Sequence, residues 1–404
     1  MSAHGGAAPA GPPGGVGEAL SAATAGLPAP LVALDLDAFE ANLDDLLRRA
    51  AGTPLRVASK SVRVRAVLDL VLARPGVVGV MAYSPWEALW LASAGVADVL
   101  VGYPTADEAA LDAIAADKAA AAAVTLMVDD VAQAVRASRA AAAHGRTLRV
   151  CLDVDASLRL ALGPLALHLG VRRSPVHTPA EVAALAGSVA QLPGLHVRGL
   201  MFYEAQVAGL PDSSAAVRAV KRLSLADLDV RRRAVRDAVQ REVGPLELVN
   251  GGGTGSVDRT AADPTVTEVT AGSGLYCPTL FDGYRAFRSR PAAFVGLDVV
   301  RLPGPGYATV FGGGYVASGP AAPSRLPRPA WPAGLRLTGR EGAGEVQTPL
   351  RLAPGRVLAV GDRVWFRHAK AGEVMERFAD VHLVRRGRIE RTVPTYRGEG
   401  RSFG

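Results

Sequence analysis

Between residues 30 and 285 the chain alternates short apolar runs with Ala/Leu/Arg segments of helical period, and this alternation restricts the fold more than any other feature. The first run is Leu31–Leu36. Behind it Phe39, Leu43, Leu46, Leu47 and Ala50 recur at the spacing of one helix face. Asp37, with Glu40 three residues on, reads as a capping box for that helix. Eight further runs end at Lys60, Tyr83, Tyr103, Asp129, Asp155, Tyr203, Asn250 and Gly272. Strict strand–helix alternation with right-handed crossovers makes a parallel sheet, and about eight units in about 250 residues suit a closed (β/α)8 barrel. An open doubly wound sheet shares this periodicity and is the alternative.

Beyond about residue 286 the texture changes. Proline and glycine become frequent, and short alternating runs such as Ala308–Phe311, Gly361–His368 and Asp380–Val384 replace helices. The expected architecture is therefore α/β: a barrel over residues 28–285, followed by a smaller antiparallel β domain over 286–404. Residues 1–27, rich in Gly, Ala and Pro without a basic leader, read as a flexible tail.

Lysine is scarce: Lys60, Lys118, Lys221 and Lys370 stand against 41 arginines. Lys60 closes the run Leu55–Lys60, and an amine can form an imine where a guanidinium cannot. At the mouth of a (β/α)8 barrel, phosphate is commonly held by the loops after strands seven and eight. Here Asn250-Gly251-Gly252-Gly253-Thr254-Gly255-Ser256 follows the seventh run, and Ala271-Gly272-Ser273-Gly274 follows the eighth. Consecutive glycines let backbone N–H groups converge on an anion, and Thr254, Ser256 or Ser273 can add hydroxyl donors. No GK[ST] or helix-opening GxGxxG accompanies them, which disfavours a nucleotide. An imine-forming lysine facing a phosphate clamp suits pyridoxal 5′-phosphate.

The chain resembles the alanine-racemase-like, fold-type III class of pyridoxal-phosphate enzymes. Ala58-Ser-Lys60-Ser is similar to that class's strand-one lysine segment, and Thr267–Tyr276 to its strand-eight phosphate loop. Leu200–Gln206 resembles its strand-six segment, and His168-Leu-Gly-Val171 its RxGV-like turn. The similarity is nearest the branch of D-threonine aldolase, D-serine dehydratase and amino-acid deaminase/aldolase. It implies Lys60 as the cofactor lysine, the two glycine loops as the phosphate site, and Tyr203 or Gln206 beside the cofactor ring. It also implies that Leu31–Leu36 joins the β domain and that the enzyme is a homodimer. Two positions depart from the pattern. Thr270 stands where racemases of this class place an arginine against the ring nitrogen. His368 occupies a metal-ligand position of this branch, but Lys370 replaces the second ligand. Either a divalent metal is lost and Lys370 serves as cation or base, or another group completes the site.

The resulting expectation is a cytoplasmic pyridoxal-phosphate lyase acting on a D-configured β-hydroxy amino acid, with Lys60, His368 and Lys370 as catalytic residues. Amino-acid racemisation and a cofactor carrier without turnover are the alternatives. Tyr83, Glu87, Asp155, Arg159 and His168 are secondary candidates, while Trp86, Trp90 and Cys277 read as core. The two cysteines, Cys151 and Cys277, form no framework and fit a reducing interior. The net charge of +7 comes from scattered arginines, and the clusters Arg231–Arg233 and Arg385–Arg388 lack interleaved aromatics, so no nucleic-acid partner is expected. No apolar stretch approaches the roughly 20 residues of a membrane span.

Overall fold

The computed structural model describes residues 15–162 and 165–404. Eight parallel strands close into a barrel: Leu55–Ala58, Val77–Ala82, Val99–Pro104, Val124–Val128, Leu148–Asp153, Leu195–Phe202, Leu248–Gly251 and Glu268–Ala271. These are the eight expected runs, and pairing of the last strand with the first excludes the open sheet. Between strands five and six a hairpin, Leu158–Leu162 with Leu165–Leu169, precedes the helix Pro179–Ala190.

The barrel interior is filled in two ways. Leu100, Met127, Cys151, Met201 and Leu248 form an apolar layer. A charged network lies apart from it. Arg56 pairs with Glu268 at 2.7 Å and with Asp98 at 3.1 Å, and Arg198 reaches Asp98 at 2.7 Å. Arg198 belongs to strand six and Asp98 precedes strand three, so this contact spans the interior. Multiple hydrogen bonds to each guanidinium offset the cost of taking these charges out of water.

A second, mostly antiparallel sheet forms the β domain, around the central strand Ala293–Gly304. Leu31–Asp35 joins it, antiparallel to Ala293–Gly296 and parallel to His382–Val384, as the resemblance implied. Two sequence expectations need correction. Asp35, not Asp37, caps the helix Leu36–Ala50, accepting from the amides of Asp37 and Ala38, while Glu40 turns away to pair with Arg385. Residues 15–23 of the expected tail form a helix whose Leu20 is buried with Leu31, Phe294 and Trp365; residues 1–14 lie outside the described residues. Arg231 and Arg232, the first two residues of the cluster Arg231–Arg233, are buried on the 29-residue helix Ala215–Val243.

Candidate active site

Lys60 lies in the single turn Ser59–Ser61 that follows barrel strand one, so its side chain starts at the barrel mouth. Its Nζ donates to Tyr103 Oη at 2.5 Å, at the end of strand three. The guanidinium of Arg173 stands 5.7 Å from the Tyr103 ring centre and 5.4 Å from that of Tyr203. Burial pushes the Tyr103 phenol up, but Lys60, Arg173 and Lys370 together outweigh it and hold it below the usual phenol range.

The two glycine loops meet. Thr254 Oγ1 lies 3.2 Å from Ser273 Oγ and accepts from the Gly274 amide at 2.9 Å. Gly272 touches the lysine turn: a Cβ there would lie 2.7 Å from Ala58 O and 3.0 Å from Ser61 Cβ. The loop after strand seven is shaped by Glu204, which is fully buried. Its carboxylate accepts from Gly252 N, Ser256 Oγ and Thr260 Oγ1, and pairs with the buried Arg232 at 2.9 Å.

These bonds narrow the expected phosphate site. Ser256 spends its one hydroxyl hydrogen on Glu204. Both amide hydrogens of Asn250 go to Glu268 and Thr270, inside the barrel. The amides of Gly252 and Gly253 are taken by Glu204 and Ser256. Among the described residues the amides of Thr254 and Gly255 donate to no acceptor. Thr254 and Ser273 share a single hydrogen bond, which leaves one hydroxyl hydrogen over.

The β domain closes on this mouth. Gly372 packs against the lysine turn so tightly that a Cβ would lie 1.9 Å from Lys60 O. Arg63 fastens the contact, donating to Glu376 at 2.7 Å and to Lys60 O at 3.2 Å. Lys370 Nζ donates to Ser318 Oγ at 2.5 Å. Burial lowers its pKa, Glu373 opposes that, and Lys60 and Arg325 add to it, which places its charge at the mouth. His368 differs from expectation. It is fully buried, edge-on to Tyr276, and burial with Arg367 pushes its pKa down to about 3. A neutral imidazole of that kind donates no proton to a substrate at neutral pH, so Lys370 is the member of the pair that reaches the mouth.

A divalent metal does not fit the donors present. His368 Nε2 has no partner, but Lys370 offers an ammonium to Ser318, and no group of three His, Cys, Asp or Glu residues converges among the described residues.

The remaining candidates are mostly structural. Asp155 organises its own loop, accepting from Ser157, Arg159 and pairing with His177, and His168 contacts Val171 O and Ser157 within the hairpin region. Gln206 Nε2 donates to Ala156 O, which commits its amide, while its Oε1 is buried without a partner. Tyr203 lines a small cavity with Asp153, Val171 and Arg173; burial first, then Asp129, pushes the Asp153 carboxyl up to about 7. Thr270 exchanges hydrogen bonds with Asn250, a neutral pair in place of an arginine. Glu87 is buried, accepting from Tyr83 N and Tyr396 Oη. Trp90 packs on Tyr396 and Phe403, and Cys277 is buried, as expected, whereas Trp86 is exposed and donates to Asp107.

Sequence reasoning missed Tyr103, Arg173, Glu204 and Arg232 as site residues. Tyr103 ends a predicted strand two places round the barrel from the one ending in Lys60, and that strand-end placement was the available signal.

A family model described as "Alanine racemase, N-terminal domain" matches residues 34–279, and the chain belongs to that family. It is 30% identical over 246 residues to a 3-hydroxy-D-aspartate aldolase of Paracoccus denitrificans, covering 60% of this chain and 59% of that protein. It is 29% identical over 289 residues to a D-threonine aldolase of an Arthrobacter species, covering 68% and 69%. The fold matches the crystal structure of D-threonine aldolase from Filomicrobium marinum with a TM-score of 0.76 at 24% identity, over 91% of this chain and 94% of that one. The family implies pyridoxal 5′-phosphate, and the residues present fit it: an exposed amine, two unpartnered backbone amides and a hydroxyl pair from adjoining loops.

Proposed function

We propose that this protein is a pyridoxal-phosphate lyase acting on D-configured β-hydroxy amino acids, by aldol cleavage or by loss of the hydroxyl. The observation that carries this reading is the Lys60 amine at the barrel mouth, next to two glycine loops joined through Thr254 and Ser273. The names of the two relatives, both aldolases of D-β-hydroxy amino acids, support it.

In this reading Lys60 Nζ carries the cofactor, and the amides of Thr254 and Gly255 with the Thr254/Ser273 hydroxyls hold its phosphate. Bound there, the cofactor supplies an electron sink for bond breaking at the amino-bearing carbon. Arg173 faces the mouth with a fixed positive charge suited to the substrate carboxylate. Lys370 offers a proton donor to the β-oxygen without a metal. Gly372 and the Arg63–Glu376 pair hold the β domain over the mouth. Thr270, paired with Asn250, stands where racemases of this class place an arginine, and that departure favours the lyase over a racemase.

We also infer a cytoplasmic homodimer with no nucleic-acid or membrane partner. Both cysteines are buried and unpaired, which supports a reducing compartment, and no described helix is long and apolar enough to cross a membrane. The test is a screen of D-threonine, D-serine and D-3-hydroxyaspartate against their L-enantiomers, following glycine with aldehyde, or keto acid with ammonia. Turnover confined to the D-forms is expected. Interconversion of enantiomers without either product pair would replace the reading with a racemase.

A further inference from the structure

We propose that Tyr103 is a catalytic residue, the acid–base partner that exchanges a proton with the Lys60 amine whenever that amine makes or breaks a bond to a carbonyl carbon. Its consequence for turnover rests on the reading of Lys60 as the cofactor lysine; the pairing itself does not.

Tyr103 Oη is the only side-chain acceptor of Lys60 Nζ among the described residues, at 2.5 Å. The groups that face this phenol come from four places. Lys60 approaches from the turn after strand one, Arg173 from the loop after the hairpin, Lys370 from the β domain, and Tyr203 from the end of strand six. The guanidinium of Arg173 is a standing positive charge that favours the phenolate. Lys370 turns its hydrogens to Ser318 instead. Tyr203 is buried and has its own phenol pushed up, first by burial and then by Tyr103 among its neighbours, against Arg173. Tyr103 is thus the titrating group in hydrogen-bond contact with the reactive nitrogen, and the cations around it hold its phenol below the usual range.

The step balances without a co-reactant. A proton passes from the Lys60 ammonium to the Tyr103 phenolate, leaving a neutral amine and a neutral phenol. The nitrogen lone pair forms a bond to the carbonyl carbon, and the carbonyl oxygen departs as water with the two remaining amine hydrogens as a C=N bond forms. Reversal returns the ammonium and the phenolate. An ammonium has no lone pair, so an adjacent base decides how fast the nitrogen reacts.

The experiment uses the full-length protein without cofactor and a small carbonyl probe. Formaldehyde with cyanoborohydride methylates reactive lysines, and peptide mass spectrometry gives the initial rate at Lys60 relative to the exposed Lys118. In the wild type Lys60 should outpace Lys118, and Tyr103→Phe should lower that ratio about 10²-fold, the low end for a positioned acid–base group. Circular dichroism monitors the fold. An unchanged ratio in folded Tyr103→Phe would overturn the proposal. Should that variant not fold, Arg173→Gln removes only the standing charge and must lower the same ratio; no change there also overturns it. Borohydride trapping with pyridoxal phosphate is run in parallel. A wild type that traps none on Lys60 sinks the cofactor reading and leaves the Tyr103 pairing to be judged on the methylation ratio.

Discussion

Glu204→Gln is the substitution that most sharply separates a built phosphate loop from an ordinary tight turn. Glu204 and Arg232 have side chains with 0% exposure each, and the carboxylate also receives Gly252 N, Ser256 Oγ and Thr260 Oγ1. The amide keeps the shape but removes the charge and turns two hydrogens toward a cluster of donors. Removing one partner of a buried ion pair costs about 3–5 kcal/mol. Arg232 retains Asp263 at 3.3 Å, so the lower end, about 3 kcal/mol, is expected. At roughly 2–4 °C per kcal/mol, that is a fall in Tm of roughly 6–12 °C. Because Gly252 loses its anchor, cofactor affinity should also drop, by about tenfold for each 1.4 kcal/mol of lost loop order. Differential scanning fluorimetry and an absorbance titration with pyridoxal phosphate measure the two effects. The control is Glu40→Gln, which removes an exposed pair with Arg385 of similar length and should cost less than about 1 kcal/mol. A Glu204→Gln protein with Tm and cofactor affinity both near wild type would refute the claim that this network shapes the loop.

Lys370→Ala should lower turnover on β-hydroxy substrates by about 10²-fold while cofactor titration stays unchanged, and chelator should leave wild-type activity intact. Activity that vanishes with chelator and returns with zinc or manganese would contradict the donor-set argument. Glu87 gives a pH signature: burial, against hydrogen bonds from Tyr83, Ser59 and Tyr396, pushes its carboxyl up to about 7 from an ordinary 4.5. A folded-state pKa raised above the unfolded one stabilises fully below about 4.5, and that contribution is lost as pH rises through about 7. Thermal stability should therefore fall across this window, and Glu87→Gln should flatten the fall. An identical slope in the variant would remove Glu87 as its source.

The barrel was legible because each strand is a continuous apolar run bounded by a helix of different period, the pattern of strands buried on both faces. Closure was not legible from periodicity, since it depends on pairing Val269–Ala271 with Leu55–Val57, over 200 residues away. Lys60 stood out because lysine is rare here, and the glycine loops because they follow strands seven and eight. Glu204 carries no comparable local mark and Tyr103 only its place at a strand end: their partners lie 28 to 56 and 43 residues distant in sequence. Arg232 did carry one. With Leu225, Leu228, Val235 and Val239 it falls on the buried stripe of a helix, and an arginine in such a stripe signals a buried partner. His368 was singled out by its motif position alone, and the strand before it carries it into the core.

The central claim, that Lys60 carries a pyridoxal-phosphate cofactor at the barrel mouth, is tested most directly by reducing cofactor-loaded protein with borohydride and mapping the modified peptide. The account predicts visible absorption near about 420 nm that borohydride abolishes, with the phosphopyridoxyl group on the peptide containing Lys60 and on no other. A protein that stays colourless with added cofactor, or a label on Lys118, Lys221 or Lys370 instead, would contradict it.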